Sequence, residues 1–339
     1  AEVATLLADA ERIHVVSVRG DWHARRTKRG RWLVSRGKAS DRVGDDDLPG
    51  HDRVRQHPLS TDDPHVRPLL VATGLVSPEG RLRKQHAGKY RQVQHYVELL
   101  RPLPVWDLAR REARAVRILD AGCGKAYLSL ALYAFARARE TEVELIGLDA
   151  NPDVVATVAE IAERLGYDDA RFEATTIWEF AREHAGSLEP LDLLVSLHAC
   201  DTATDEALAA GVVLDAEAIV VAPCCQHELA RQLQDRAGWA PVLRHGLLRG
   251  RLADLLTDSL RATALELFGY RAEVIEFAAT EHTAKNVMIR AARRHPGPGA
   301  ERRREEAARA YAELAEAWGV KPTLERLLAD RWPLAPAAA

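Results

Sequence analysis

The sequence predicts an α/β protein. Its centre is a doubly wound seven-stranded sheet, parallel except for an antiparallel last strand, with a small basic α+β extension before it and a helical tail after it. Three observations predict this. Apolar strand-like runs alternate with helical runs five times between residues 116 and 237. Two further strand-like runs, 271–277 and 287–292, stand too close together for a crossover helix, so they must pair antiparallel. The first run, Ile118-Leu119, leads through Asp120 into Gly122-Cys123-Gly124 and then a helical stretch, the arrangement of a ligand-binding turn at a helix N-terminus.

Taken in order, residues 2–10 read as a short amphipathic helix and 13–18 as a strand. Residues 22–26 and 31–36 read as two short strands around the turn 27–30. Residues 38–66, with Asp45-Asp46-Asp47, Pro49-Gly50, Pro58 and Pro64, read as a linker. Residues 66–76 and 86–102 look helical, the second with Val93, Tyr96, Val97 and Leu100 on one face. Strand 117–121 precedes helix 125–139, and strand 143–149 precedes helix 151–166, which opens on Asn151-Pro152-Asp153 with Pro and an acid in the first turn. Strand 171–175 precedes helix 177–185, strand 191–197 precedes helix 202–211, and strand 218–222 precedes helix 226–237. A long helix spans 247–268, and 300–330 reads as a charged, Ala-rich helical tail with 302–309 as a solvated face. The expected divisions are 1–66, a basic substrate-presenting extension; 67–295, the catalytic domain; and 296–339, the tail, whose last residues 333–339 are expected to be disordered.

Composition narrows the function classes. At 339 residues with 47% apolar residues, the chain can bury a large core. No run of eighteen apolar residues occurs, so no membrane span or membrane partner is expected. The first ten residues lack a basic segment followed by an apolar one, so no signal peptide is expected, and the absence of an initiating Met points to processing or tag removal. The cysteines are Cys123, Cys200, Cys224 and Cys225, all in the central third, which suits reduced thiols and a cytoplasmic location better than a disulfide scaffold. The net charge of −3 conceals nine Lys and Arg between Arg19 and Arg42 opposed only by Asp21 and Asp41. A basic end on an acidic body suits a nucleic-acid contact, and a solvated charged face is the plainer alternative. The expected RNA-gripping residues are Arg25, Arg26, Lys28, Arg29, Arg31 and Trp32, aromatic and basic side chains that stack on bases and neutralise phosphates. Core packing is the alternative for Trp22 and Trp32.

The glycine spacing excludes two ligands. A dinucleotide fingerprint needs a third Gly where Tyr127 stands. A P-loop needs Ser or Thr where Ala126 follows Gly124-Lys125. An acid just before the turn suits a ligand with an ammonium group nearby. Asp120-Ala121-Gly122-Cys123-Gly124 resembles motif I of class I methyltransferases, which use S-adenosylmethionine (SAM) and have a Rossmann-like sheet, with Ala126 in place of their usual third Gly. Asp149, at the end of the second strand and 25 residues after Gly124, is placed to accept ribose hydroxyls, as in dinucleotide proteins. The resemblance implies a cofactor site of Asp120, Ala121, Gly122, Gly124, Lys125 and Asp149. It adds Ala150, Thr176 and Ile177 near the adenine, and Lys89, with Arg91 and Gln92, from a helix covering the pocket.

Two segments follow strands four and five: 197–205, containing His198, Cys200 and Asp201, and 222–228, containing Cys224, Cys225 and His227. Ligands of open α/β sheets bind beyond the strands' carboxyl ends, so these side chains should converge there, with His198 also near the cofactor. Three chemistries are open. His198, Asp201 or His227 can act as general base. The Cys and His residues can bind zinc, although CxxC spacing is missing and vicinal Cys224-Cys225 cannot easily share one ion, so no metal is expected. Cys224 after Pro223, or its neighbour Cys225, can act as a nucleophile, as in the 5-methylpyrimidine enzymes, given a depressed thiol pKa. Cys123 reads as a buried small apolar residue. His282, Lys285 and Asn286, between the last two strands, are expected to face substrate.

The stretches 120–125, 197–205, 222–227 and 281–286 together resemble, over residues 85–293, the methyltransferase-like 25 or "ribosomal RNA adenine dimethylase domain-containing" group. The Asn-Pro-Pro-Tyr/Phe motif of adenine N6 enzymes is replaced here by Ser196-Leu197-His198-Ala199, which argues against adenine dimethylation. The expectation is methyl transfer from SAM to a nucleophile on structured RNA. The alternatives are a protein or small-molecule methyltransferase, and a catalytically silent RNA-binding scaffold.

Overall fold

The computed structural model describes residues 12–15, 22–27, 31–36, 57–197, 199–223, 225–233, 238–276, 287–295 and 297–333. The chain divides into two compact units, residues 1–56 and 57–339. In the first, β1 (Arg12–Val15), β2 (Trp22–Arg26) and β3 (Trp32–Arg36) form an antiparallel sheet in that order, with Arg25 paired to Leu33 and Arg26 to Trp32. The expected helix at 2–10 lies outside the described residues, as does 333–339 beyond Pro333.

In the second unit, α1 (Arg67–Ala72), α2 (Ala87–Leu100) and α3 (Val105–Arg111) precede the alternating β4 (Val116–Ala121), α4 (Tyr127–Arg137), β5 (Val143–Asp149), α5 (Pro152–Arg164), β6 (Ala170–Ala174), α6 (Ile177–Glu183), β7 (Leu193–Ser196), α7 (Thr202–Val213) and β8 (Ala218–Val221). Then come α8 (His227–Gln232), α9 (Ala240–Leu243), α10 (Gly246–Leu267), β9 (Tyr270–Glu276), β10 (Val287–Arg293), α11 (Ala300–Trp318) and α12 (Thr323–Leu327). The sheet order is β6-β5-β4-β7-β8-β10-β9. All pairs are parallel except those of β10, which runs antiparallel to both neighbours, as the short β9–β10 connection requires. This is the doubly wound seven-stranded architecture expected from the sequence.

Alternation along the buried strands feeds two cores. Ile118, Leu193, Val195 and Val220 face the layer of α2, α3, α4 and α5. Leu119, Leu194, Ile219 and Val221 face α6, α7 and α10, with Tyr311 of α11 and Leu324 of α12. Nine consecutive residues of α4, Leu128 to Ala136, are buried, because this helix lies between the sheet and α2. A Cβ on Gly147 would clash with the ring of Phe172, its partner on β6, so that ring fills the space a side chain would need.

Several elements differ from the sequence reading, each for a local reason. The tail is two helices, because Gly319 ends α11 in the left-handed conformation and Pro322 follows. Its arginines are mostly solvated, but Ala307 and Ala308 are buried. Helix α8 stops at Gln232, where Leu233 turns extended. Helix α3 was not anticipated; Trp106 anchors it by donating to the Leu100 carbonyl at 2.9 Å. The segment 57–66 is no loose linker: the Leu59 N–H donates to Gln94 at 3.0 Å, its carbonyl accepts from Tyr90 at 2.8 Å, and Leu59 and Val66 are fully buried.

Candidate active site

The strand order reverses at β4, with β5 on one side and β7 on the other, all three parallel. An open α/β sheet has a ligand crevice at such a point. Its floor is the turn after β4, where Gly122, Gly124 and Ala126 all have positive φ, at 80°, 50° and 47°. The N–H groups of Gly122 and Cys123 both donate to the Leu148 carbonyl, at 2.9 and 2.7 Å, which folds the turn back onto the end of β5. The Gly124 N–H donates to Asp149 at 3.0 Å, and the other Asp149 oxygen accepts from the Asn151 N–H at 2.8 Å. Asp149 thus pins both turns and remains only half-buried. A Cβ placed on Gly124 would meet nothing within 4 Å, so there is open space above the turn. A carboxylate for sugar hydroxyls, bare backbone and free space fit a nucleoside-bearing cofactor.

Asp120 lies beneath the turn, 5% exposed and hydrogen-bonded by the Ser129 hydroxyl. Burial pushes its pKa up to about 7, Ser129 opposes the shift, and the Asp149 charge adds to it. Tyr96 of α2 is fully buried near it, its phenol pushed well up by burial and by Asp120. Helix α2 therefore covers this side of the turn. Its Lys89 ammonium lies 3.6 Å from the Tyr127 ring centroid, at the start of α4, and burial followed by the Lys125 charge lowers its pKa. The Cys123 thiol is buried and its pKa strongly raised by burial, which makes it a packing residue and a poor nucleophile.

Beyond the ends of β7 and β8 the arrangement depends on side chains distant in sequence. Ser196 donates to the Ala121 carbonyl at 2.6 Å, tying β7 to the Gly-rich turn. The Asp201 N–H donates to the Cys225 carbonyl at 3.2 Å, and Asp201 Oδ1 accepts from the Glu228 N–H at 3.0 Å in the first turn of α8. Beneath them Arg261 of α10, 2% exposed, forms a double contact with Asp205 at 3.1 and 2.6 Å, and its Nη1 lies 3.4 Å from Asp258. Asp258 accepts from the Gln226 amide at 3.2 and 3.1 Å. Burial raises the pKa values of both carboxyls, and Arg261 opposes the rise. Glu228 in turn accepts from the Thr323 N–H at 3.1 Å, its hydroxyl at 2.7 Å and Arg326 at 2.9 Å, fastening α12 to α8.

The structure places the expected residues as follows. Ala121, Gly122, Gly124, Lys125 and Asp149 lie at the crevice, with Asp120 beneath it and Lys89 on its cover. Ala150 is exposed after β5. Thr176 caps α6, its hydroxyl accepting from the Glu179 N–H at 3.3 Å and donating to the Glu179 carboxylate at 2.7 Å, and Ile177 packs 7% exposed beside Gly122. Asp201 and Cys225 meet as described, Cys200 is exposed, and His227 is exposed at the start of α8. His198, Cys224, His282, Lys285, Asn286, Lys28 and Arg29 lie outside the described residues. Arg25 is placed in β2, while Arg26 and Arg31 are exposed and Trp32 is 38% exposed. Among the described residues no three His, Cys, Asp or Glu are grouped to hold a metal, and no helix is long and apolar enough to cross a membrane. The sequence reading missed Arg261, Asp258, Gln226 and Glu228. The available signal was Asp258-x-x-Arg261 on the leucine-rich face of a long helix, a pair that needs partners if buried.

Residues 88–232 match the family model described as a methyltransferase domain. No curated relative matches the sequence. Among solved structures, the Methanococcus jannaschii fibrillarin pre-rRNA processing protein is 11% identical over 54% of this chain and 68% of its own, with a TM-score of 0.37. Precorrin-6y C5,15-methyltransferase from Geobacter metallireducens is 16% identical over 53% of this chain and 80% of its own, at 0.32. Monomeric WbdD is 14% identical over 56% of this chain at 0.33, and the chain spans only 38% of its length. The assignment rests on the family match and the strand order rather than on these distant likenesses. Residues 88–232 thus match a methyltransferase domain, carried here on a seven-stranded sheet of the expected order, and that match supports an enzyme using SAM as methyl donor.

Proposed function

We propose that this protein transfers a methyl group from SAM to a nucleophile on structured RNA. The observation that carries the cofactor half is the Asp149 carboxylate bound to the Gly124 N–H at the sheet's switch point, under open space. When bound there, SAM supplies an electrophilic methyl group on a sulfonium. The chain's own residues hold and orient it: Asp149 for the ribose, the Gly122–Gly124 backbone for close approach, and Lys89 and Asp120 for the carboxylate and ammonium of the methionine part. Orientation is the largest contribution this reaction needs from a protein. Removal of the acceptor's proton falls to two imidazoles, His198 after β7 and His227 at the start of α8.

The acceptor class is supported by the first unit. Its β2–β3 hairpin exposes Arg26, Arg31 and Trp32, a combination that neutralises phosphates and stacks on bases. The test is incorporation of labelled methyl from SAM into purified ribosomal and transfer RNA, with cellular protein as the parallel acceptor. Label in RNA supports the proposal, and label in protein alone overturns the RNA assignment.

A further inference from the structure

We infer that Arg261 and Asp201 are positioning residues that lock the loop after β7 to the loop after β8, so that both present the acceptor as one rigid surface. The effect on methyl transfer rests on the proposed function; the lock itself does not.

Asp201 has φ 54° and ψ −118°, a conformation that side chains other than glycine rarely adopt. Such a residue persists only where its surroundings over-determine it, and the surroundings here do. Its N–H donates to the Cys225 carbonyl at 3.2 Å, and its own carbonyl accepts from Arg261 Nη2 at 2.8 Å. Its Oδ1 accepts from the Glu228 N–H at 3.0 Å, and its Oδ2 lies 3.5 Å from Arg231. Every polar group of Asp201 is therefore engaged, and its N–H and both carboxylate oxygens reach the β8 loop or α8. The carboxylate acts as an N-terminal cap for α8, supplied from another loop, rather than as a base aimed at solvent.

Arg261 connects the two sides. Through Asp201 and Asp205 it holds the β7 loop and the start of α7, and through Asp258 and the Gln226 amide it holds the β8 loop. A planar guanidinium with five donors can serve these acceptors together, whereas an ammonium cannot. Buried charge clusters are seldom more stable than an apolar replacement, so one retained at the strands' carboxyl ends points to fixing geometry there.

Two measurements test this. Amide hydrogen exchange is compared between the wild type and Arg261→Lys. The lock predicts exchange at Asp201 and Glu228 faster by at least about ten-fold, with β4 unchanged and SAM affinity retained. Unchanged protection at both amides overturns the proposal. Methyl transfer to RNA is then measured for Asp201→Asn, which keeps the capping oxygen, and Asp201→Gly, which relieves the backbone but removes the carboxylate. Positioning predicts that Asn stays within about three-fold of wild type with the same pH–rate profile. It also predicts that Gly folds at least as stably yet transfers at least about ten-fold more slowly. Asn as inactive as Gly makes Asp201 a base and overturns its positioning role. Should the wild type not methylate RNA, the proposed acceptor fails, and hydrogen exchange alone decides the lock. Should Arg261→Lys not fold, Asp201→Gly in the same exchange experiment decides it through the Glu228 amide.

Discussion

The two halves of the site are built in opposite ways. The cofactor half is local in sequence: Asp120, Gly122, Gly124 and Asp149 lie within 30 residues, and backbone hydrogen bonds to Leu148 shape the turn. The acceptor half is assembled from afar. Asp205 meets Arg261 across 56 positions, Gln226 meets Asp258 across 32, and Glu228 meets Thr323 across 95. A turn held by its own backbone tolerates changes elsewhere, whereas surface loops held by buried charges depend on every partner. Mutation should therefore separate the halves.

The largest expected effect is in the acceptor half. Asp205→Ala leaves the Arg261 guanidinium buried without its main partner and should cost about 3–5 kcal/mol of stability by denaturant unfolding. A loss under about 1 kcal/mol would show that the network relaxes without it.

Asp120→Asn tests the floor of the cofactor half. The folded pKa of about 7 stands above the ordinary value of 3.8, so the protonated carboxyl favours the folded state. That contribution is complete below about pH 4 and is lost as pH rises through 7. The variant should therefore gain on the wild type across this window, by on the order of 3 kcal/mol, as read by unfolding at pH 4 and pH 8. Parallel curves for the two proteins would refute the raised pKa.

Asp149→Ala should weaken SAM binding about 100-fold, about 2.7 kcal/mol, with little change in the acceptor half. Replacing Arg26 and Arg31 with Ala should make the salt dependence of RNA affinity shallower by about two in the log–log slope, read by titration at several salt concentrations. An unchanged slope would remove the hairpin from the RNA contact. Lys89→Ala should have the smallest effect, about three-fold on SAM affinity, because Lys89 is exposed and water screens its charge.

The same contrast explains what the sequence made legible. The Gly-rich turn, Asp149 and the Asn151-Pro152 helix start follow local rules, so their positions could be read from spacing. The strand count and the antiparallel closure followed from connection lengths. Arg261 was hidden because a charge on a leucine-rich helix declares no partner until the fold brings Asp205 and Asp201 to it. Asp201 suggested a base by residue type, yet its backbone conformation and its contact with the Glu228 N–H appear only once the two loops are juxtaposed. Thr176 to Glu179 is a legible capping box, and as a cap Thr176 already has its hydroxyl engaged by Glu179. The tail read as an appendage because α11 buries only Ala307, Ala308 and Tyr311 among many charges.

The central claim is that the turn pinned by Asp149 binds SAM. Calorimetric titration of SAM into the wild type and Asp149→Ala tests it most directly. Saturable micromolar binding to the wild type, with binding about 100-fold weaker in the variant, is the predicted result. Equal affinity in the two proteins, or no binding to the folded wild type, would contradict it.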